Sequence, residues 1–285
     1  MEAGDLVQVK VNGEIVSAIF QDWRPCGKYA VVLFGDKRIY RKPINSSNFS
    51  AKPAQQSLYH INERFEFIEN IVDMVALGES KSAIISGSGG LGKTHTVLGR
   101  LHKAGFQEEI DYKMVKGFTT PKSLYRLLFT NQDKIIIFDD TDSVWQDQTA
   151  VSLLKGALDS YDVRKLSWMT SRGDDGIPET FEFKGKIIFI SNLPLSKLDQ
   201  AVLSRALYVD VSMSPQEKID RIKFISPKIR PEIDGQVKKE VLDFLEVKAD
   251  QIGDLNIRTF LKGLEIRLSG NSNWQQMFDY MATAF

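Results

Sequence analysis

The chain has 285 residues, 42% apolar and 26% charged, with 37 Lys and Arg balanced by 37 Asp and Glu. That composition belongs to a globular protein with ample length for a buried core, and it excludes low-complexity, collagen-like and strongly polyelectrolyte classes. No apolar run approaches the ~18 residues of a membrane span, MEAGDLVQVK lacks a signal-peptide pattern, and the single Cys26 permits no internal disulfide and fits the reducing cytoplasm.

Residues 1–42 read as a small β module. Leu6 to Val11 alternates at period two, Asn12-Gly13 supplies a hairpin turn, and Ile15 to Phe20 carries the pattern on. Tyr29 to Phe34 and Lys37 to Tyr40 follow, joined at Gly35-Asp36. These short strands, opening on Gly-Asp-Leu-Val, resemble a Src-homology-3 or Tudor-type barrel. The resemblance implies a binding module for a protein or nucleic-acid partner, with Trp23, Arg24, Tyr29 and Tyr40 either lining a groove or filling a small core. Residues 43–57, rich in Ser, Asn and Pro and without periodicity, read as a linker.

A second domain is expected over 58–211. It opens with a helix over 62–77, in which Phe65, Ile68, Val72 and Val75 share a face. The apolar run Ala83-Ile84-Ile85 then enters Gly87-Ser88-Gly89-Gly90-Leu91-Gly92-Lys93-Thr94, which fits G-x-x-x-x-G-K-[ST] at every fixed position. Binding a polyphosphate needs these residue types. Glycines let backbone N–H groups turn toward the phosphates, and the helix that follows, over 93–103, presents its positive end to the same anion. Lys93 reaches the β- and γ-phosphates, and the Thr94 hydroxyl ligates Mg²⁺.

Further on, a strand over 110–115 and a helix over 121–129, with Pro in its first turn, lead to Lys134-Ile135-Ile136-Ile137-Phe138-Asp139-Asp140. An apolar run ending in acid has the form of a buried parallel strand whose carboxylates sit at the ligand-binding edge of the sheet. Asp139 is the candidate for holding Mg²⁺ through water and Asp140 for polarising an attacking water, with Asp142 as an alternative base. His60, His95 and His102 are scattered without cysteine partners, which argues against structural zinc.

A helix over 147–160 comes next. Residues 164–184 read as a β-hairpin with a polar, Gly-rich tip carrying Arg172, and with Arg164, Lys165 and Trp168 nearer the stem. The strand over 186–190 ends in Ser191-Asn192, where Asn192 is placed to orient a hydrolytic water. A short helix over 198–205 ends in Arg205, and a strand over 206–211 closes the domain. Residues 212–285 are helical throughout, in segments over 216–225, 235–248, 257–268 and 274–283, and Arg258 starts the third.

The ordered set Gly87–Thr94, Asp139-Asp140, Asn192, Arg205 and Arg258 resembles the AAA+ ATPases over residues 58–285. The resemblance implies an α/β P-loop NTPase core with a parallel sheet and a C-terminal helical lid. Gly87 to Thr94 then look like Walker A, Ile135 to Asp140 like Walker B, Asn192 like sensor 1, Arg205 like an arginine finger and Arg258 like sensor 2. Family members usually carry Glu where Asp140 stands. Asp-Asp endings do occur in superfamily-3 viral helicases, which the IIFISN strand and AVLSRA also resemble. The family implies ATP and Mg²⁺ as ligands and a homo-oligomeric ring, most often a hexamer, in which Arg205 reaches the neighbour's γ-phosphate. The compact core is similar to ATPases encoded by tailed phages, which implies action in the host cytoplasm.

The work done by such a ring is open between two classes. Acting on nucleic acid, as helicase, translocase or loader, it would line its channel with the 164–184 hairpin. Acting on protein, it would use the N-terminal barrel as adaptor and Lys116-Gly117-Phe118 as a pore loop, although few residues separate that strand from the Pro121 helix. A switch that binds ATP and moves nothing is a third reading. The core, 58–211, carries 18 basic against 21 acidic residues, so a channel would have to repeat one or two cations around a ring to hold a phosphate backbone.

Overall fold

A computed structural model of the chain describes residues 58–117, 120–169 and 176–283, together with the backbone of strands within residues 6–41. The chain divides into two units, Met1–Leu58 and Tyr59–Phe285.

In the first unit, β1 (Leu6–Val11), β2 (Glu14–Trp23), β3 (Ala30–Phe34) and β4 (Lys37–Arg41) pair antiparallel in chain order. The β2–β3 register shifts between Phe20 and Asp22. The expected groove side chains, barrel closure and linker lie outside the described residues.

The second unit is built on a five-stranded parallel sheet. Its strands are β5 (Ser82–Ser86), β6 (Tyr112–Lys116), β7 (Ile135–Asp139), β10 (Lys186–Ser191) and β11 (Leu207–Asp210), in the spatial order β11-β5-β10-β7-β6. Central strands of this kind are apolar on both faces because helices cover both. Along β5, Ile84 points into one cluster and Ala83 and Ile85 into the other; along β7, Ile136 and Phe138 oppose Ile135 and Ile137.

One face packs on α1 (Ile61–Leu77) and α2 (Lys93–Lys103). Helix α1 starts in a capping box between His60 and Glu63 and stops at Gly78, in the left-handed region. Its Ile61, Phe65, Ile68, Val72 and Val75 are buried at helical spacing. The other face packs on α3 (Pro121–Thr130), α4 (Gln148–Ala157) and α5 (Gln200–Leu203). A short hairpin of β8 (Lys165–Ser167) and β9 (Thr180–Glu182) joins that face through Leu166 and Phe181. The hairpin tip, with Arg172, lies outside the described residues.

Several boundaries differ from the sequence expectation, each for a local reason. Ile110 is 64% exposed in a turn, so β6 begins at Tyr112, the first residue buried against the sheet. The Asp147 carboxylate accepts from the backbone N–H of Thr149 and Ala150, making it the cap of α4 rather than its first residue. Asp199 does the same for α5, which leaves Leu198 outside the helix and Arg205 beyond its end.

After β11 the chain is helical: α6 (Pro215–Ile225), α7 (Gly235–Val247), α8 (Ile257–Leu268) and α9 (Trp274–Thr283). They share their own apolar cluster around Ile222, Val241, Leu245, Phe260, Leu264 and Phe278. Two arginines fasten this group to the rest of the unit. Arg64 of α1 donates to the Ser212 carbonyl at 2.7 Å and pairs with Glu217, and Arg221 of α6 donates to Asn62 Oδ1 at 3.0 Å.

Candidate functional site

The turn between β5 and α2 lies at the C-terminal edge of the sheet, where strand order reverses and open α/β sheets hold ligands. Two glycines of the expected loop are dictated by the geometry. Gly87, at φ +143°, passes so close to the β11 exit that a Cβ would sit 2.7 Å from the Val211 carbonyl carbon. Gly90, at φ +72°, leaves room for Asn256, whose Cγ would lie 2.9 Å from an added Cβ. Helix α2 begins at Gly92 with no side chain capping it, so its first-turn N–H groups are left for an anion.

Lys93 is 5% exposed and folds back into the loop. Its Nζ donates to the Gly87 and Ser88 carbonyls at 2.6 and 2.9 Å and to Asn192 Oδ1 at 2.9 Å. Burial pushes its pKa from 10.5 down to about 8, against the pull of Asp140, Asp139 and Asp142 and with a smaller push from Arg258. Thr94 Oγ1 donates to Asp139 Oδ1 at 2.8 Å. The other oxygen, Oδ2, lies 3.4 Å from Nζ of Lys116, at the paired position on β6.

Two hard oxygen donors this close, one of them a carboxylate only 4% exposed, fit a divalent cation such as Mg²⁺. Among the described residues no cluster of three or more His, Cys, Asp and Glu could hold a metal unaided, so a cation here would draw its other ligands from phosphate and water.

Asp140 follows the strand at φ +54°, a left-handed conformation that Asp tolerates better than most residues, with its N–H bonded to the Ile190 carbonyl. Its Oδ1 accepts from Asn192 Nδ2 at 2.5 Å. Asn192 thus bridges Lys93 and Asp140. Asp142 sits elsewhere: it opens a short turn, and its Oδ1 accepts from Ser191 Oγ at 2.5 Å, which itself receives the Leu193 N–H.

The two arginines divide. Arg258 starts α8 beside the loop, because the Ile257 N–H donates to the Gly90 carbonyl at 3.0 Å and Asn256 caps the helix. Arg205 is exposed, with Nη1 on the Ala201 carbonyl, and its own carbonyl accepts from Ser82 Oγ at 3.0 Å. Ser82 starts β5 and the loop follows its end. That puts Arg205 at the opposite sheet edge, on the order of 15 Å from the phosphate loop of the same chain. Arg164 is not a surface cation. It is buried, donating to the Ala157 and Gly185 carbonyls, so it holds the hairpin base and cannot meet a phosphate.

A cleft of about 700 Å³, absent from the sequence expectations, opens beside Gly92. Phe65 of α1, His95 of α2, Arg221 and Phe224 of α6 and Ile257 of α8 line it. Arg221 lies face-on over the Phe65 ring, 3.6 Å from its centroid. No local pattern announces this cleft, since its walls join α1 and α2 to α6 and α8, which lie more than a hundred residues further along the chain. Asn256 could have been found, because Asn directly before an apolar-periodic run is a helix-start signal.

No family model matches this sequence. An uncharacterized 36.7 kDa protein in the nrdC-mobD intergenic region of Enterobacteria phage T4 is 27% identical over 278 residues, covering 88% of this chain and 85% of that protein. The Aeropyrum pernix ORC1 protein in complex with DNA superposes with a TM-score of 0.44 at 13% identity, over 79% of this chain and 66% of that one. That likeness is too distant to carry a functional argument. Among the described residues no helix is long and apolar enough to cross a membrane.

Proposed function

We propose that this protein is an AAA+-type ATPase, hydrolysing ATP to ADP and phosphate. Its core is residues 58–211 and its lid 212–285. The carrying observation is two adjacent sets of hydrogen bonds at the C-terminal edge of a parallel sheet. In them, Lys93 meets Asn192, Asn192 meets Asp140, and Thr94 meets Asp139, all beside an uncapped helix N-terminus.

Lys93 and the N–H groups of the Gly87–Thr94 loop hold the β- and γ-phosphates, and the adjoining cleft is large enough for a nucleoside. Thr94 and Asp139 hold Mg²⁺, which when bound neutralises charge on the phosphate oxygens. Asp140 is the base that polarises water. Its partner Asn192 is also the partner of Lys93, so a phosphate drawing on the lysine would free the amide and with it the carboxylate. Asp142 is the weaker candidate because Ser191 engages it in an arrangement that shapes the chain. Arg258 brings the lid to the same phosphates.

Arg205 stands at the opposite end of β5 from its own loop. A cation required at the transferring phosphoryl group is therefore supplied by a neighbouring copy, and the protein works as a homo-oligomeric ring, most simply a hexamer. Its substrate is nucleic acid. The β8–β9 hairpin stands directly before β10, whose end carries Asn192, so its stem is joined to the nucleotide site through one strand. A pore loop on β6 is disfavoured, since α3 begins at Pro121, shortly after the strand ends at Lys116. The N-terminal strands form a small barrel that recruits a partner. The T4 relative supports a phage-encoded protein acting in the host cytoplasm.

The deciding measurement is ATPase rate alone and with single-stranded DNA, duplex DNA or RNA. Stimulation by a nucleic acid is expected. A nucleic-acid-independent ATPase that one protein substrate stimulates would move the reading to protein remodelling, and no hydrolysis with intact binding would move it to a switch.

A further inference from the structure

Asp139 has two oxygens, and each is engaged. Thr94 takes Oδ1, and Lys116 lies on Oδ2 at 3.4 Å. The second pairing follows from the sheet itself. Strand β6 runs parallel to β7 with Lys116 opposite Asp139, so both side chains leave the same face at the same level. But β6 is the edge strand, and the two partners differ in surroundings: the Asp139 side chain is 6% exposed and that of Lys116 is 64% exposed. A buried carboxylate needs a partner, whereas an exposed ammonium on a flexible stem is held weakly and leaves at little cost.

We propose that Lys116 is a displaceable counter-ion of Asp139: it neutralises the carboxylate while no metal is bound and yields to the divalent cation that enters with a nucleotide. This rests on the reading of Thr94 and Asp139 as the metal-holding pair. The two cations compete for one carboxylate. Lys116 therefore lowers the affinity for the metal-bound nucleotide, and it protects the empty site from an unpaired buried charge. Lys116 is a positioning residue, acting through Asp139. Gly117 follows it at φ +84°, so the chain turns away at the strand's end and leaves the ammonium at the sheet's open edge.

The test is a Mg²⁺ titration of fluorescent ATP-analogue binding to the full chain, comparing wild type, Lys116→Met and Lys116→Arg. Loss of an exposed cation's competition is expected to lower the half-saturating Mg²⁺ for Lys116→Met by about two- to fivefold. Lys116→Arg, which keeps the charge, should stay near wild type. The shift should shrink in high salt, because the displaced pair is screened. An unchanged midpoint in Lys116→Met would overturn the proposal and leave the phosphate-loop reading standing. A raised midpoint would also overturn it, since Lys116 would then be helping the loaded site. A wild type that binds no nucleotide would overturn both readings together.

Discussion

The two edges of the parallel sheet make a contrast. At the C-terminal edge Lys93, Thr94, Asp139, Asp140 and Asn192 converge from the start of α2 and the ends of β7 and β10, and each is hydrogen-bonded to another of the set. At the N-terminal edge, Arg205 is exposed and its guanidinium bonds back to the Ala201 carbonyl of the preceding helix α5. One edge gathers side chains that bond to one another; the other carries an exposed arginine whose guanidinium bonds to a nearby backbone carbonyl. In a sheet whose strands all run one way, residues that precede strands and residues that follow them are separated by a strand's full length. On the proposed reading, a phosphate served by both kinds of residue draws them from two copies of the chain.

Breaking the convergent edge should have the largest effect. Lys93→Ala removes the cation facing the β/γ-phosphates, and nucleotide affinity by equilibrium titration should fall by about 100-fold or more, taking ATPase activity with it. Near-normal affinity would dissolve the contrast, because the edge would not be a phosphate site.

Arg205→Ala tests the other edge. Binding should persist while turnover of the assembled protein drops by roughly 10³-fold. Mixing it with Lys93→Ala subunits should restore part of the activity at mixed interfaces, and a mixed assembly with no recovery would place Arg205 outside the reaction.

Asp140→Asn separates binding from chemistry within the convergent edge. Affinity should hold and hydrolysis fall by about 10²-fold. A normal rate here with no hydrolysis by Asp142→Asn would transfer the base to Asp142.

The smallest effect is a pH dependence. Lys93 is pushed down to about 8 by burial, and only its protonated form attracts phosphate. Affinity should be steady below about pH 7 and decline as pH rises through 8, by about fivefold from pH 8 to 9. Bound phosphate favours the charged lysine, so binding near pH 8.5 should take up protons, measurable as a buffer-dependent heat. A flat profile from pH 7 to 9 would mean that the lysine keeps its full charge despite its burial.

What the sequence determined by itself is local. Gly87 to Thr94 specify their own loop because the required glycines, lysine and hydroxyl are contiguous and bracketed by an apolar strand and a helix. The run Ile135 to Asp139 announces a buried strand because nothing else places so many β-branched residues in a row before an acid. The four C-terminal helices were legible from their 3.6-residue spacing, two of them to the residue. The tertiary structure decided everything that depends on strand order and register. That Lys116 stands beside Asp139 follows from pairing across segments 23 positions apart. That Asn192 bridges Lys93 and Asp140 requires β10 to lie between β5 and β7. The cleft beside Gly92 exists only because α1, α6 and α8 meet there. Such placements are set by which apolar faces must be covered together, a property of the whole packed unit, and a one-dimensional pattern does not carry it.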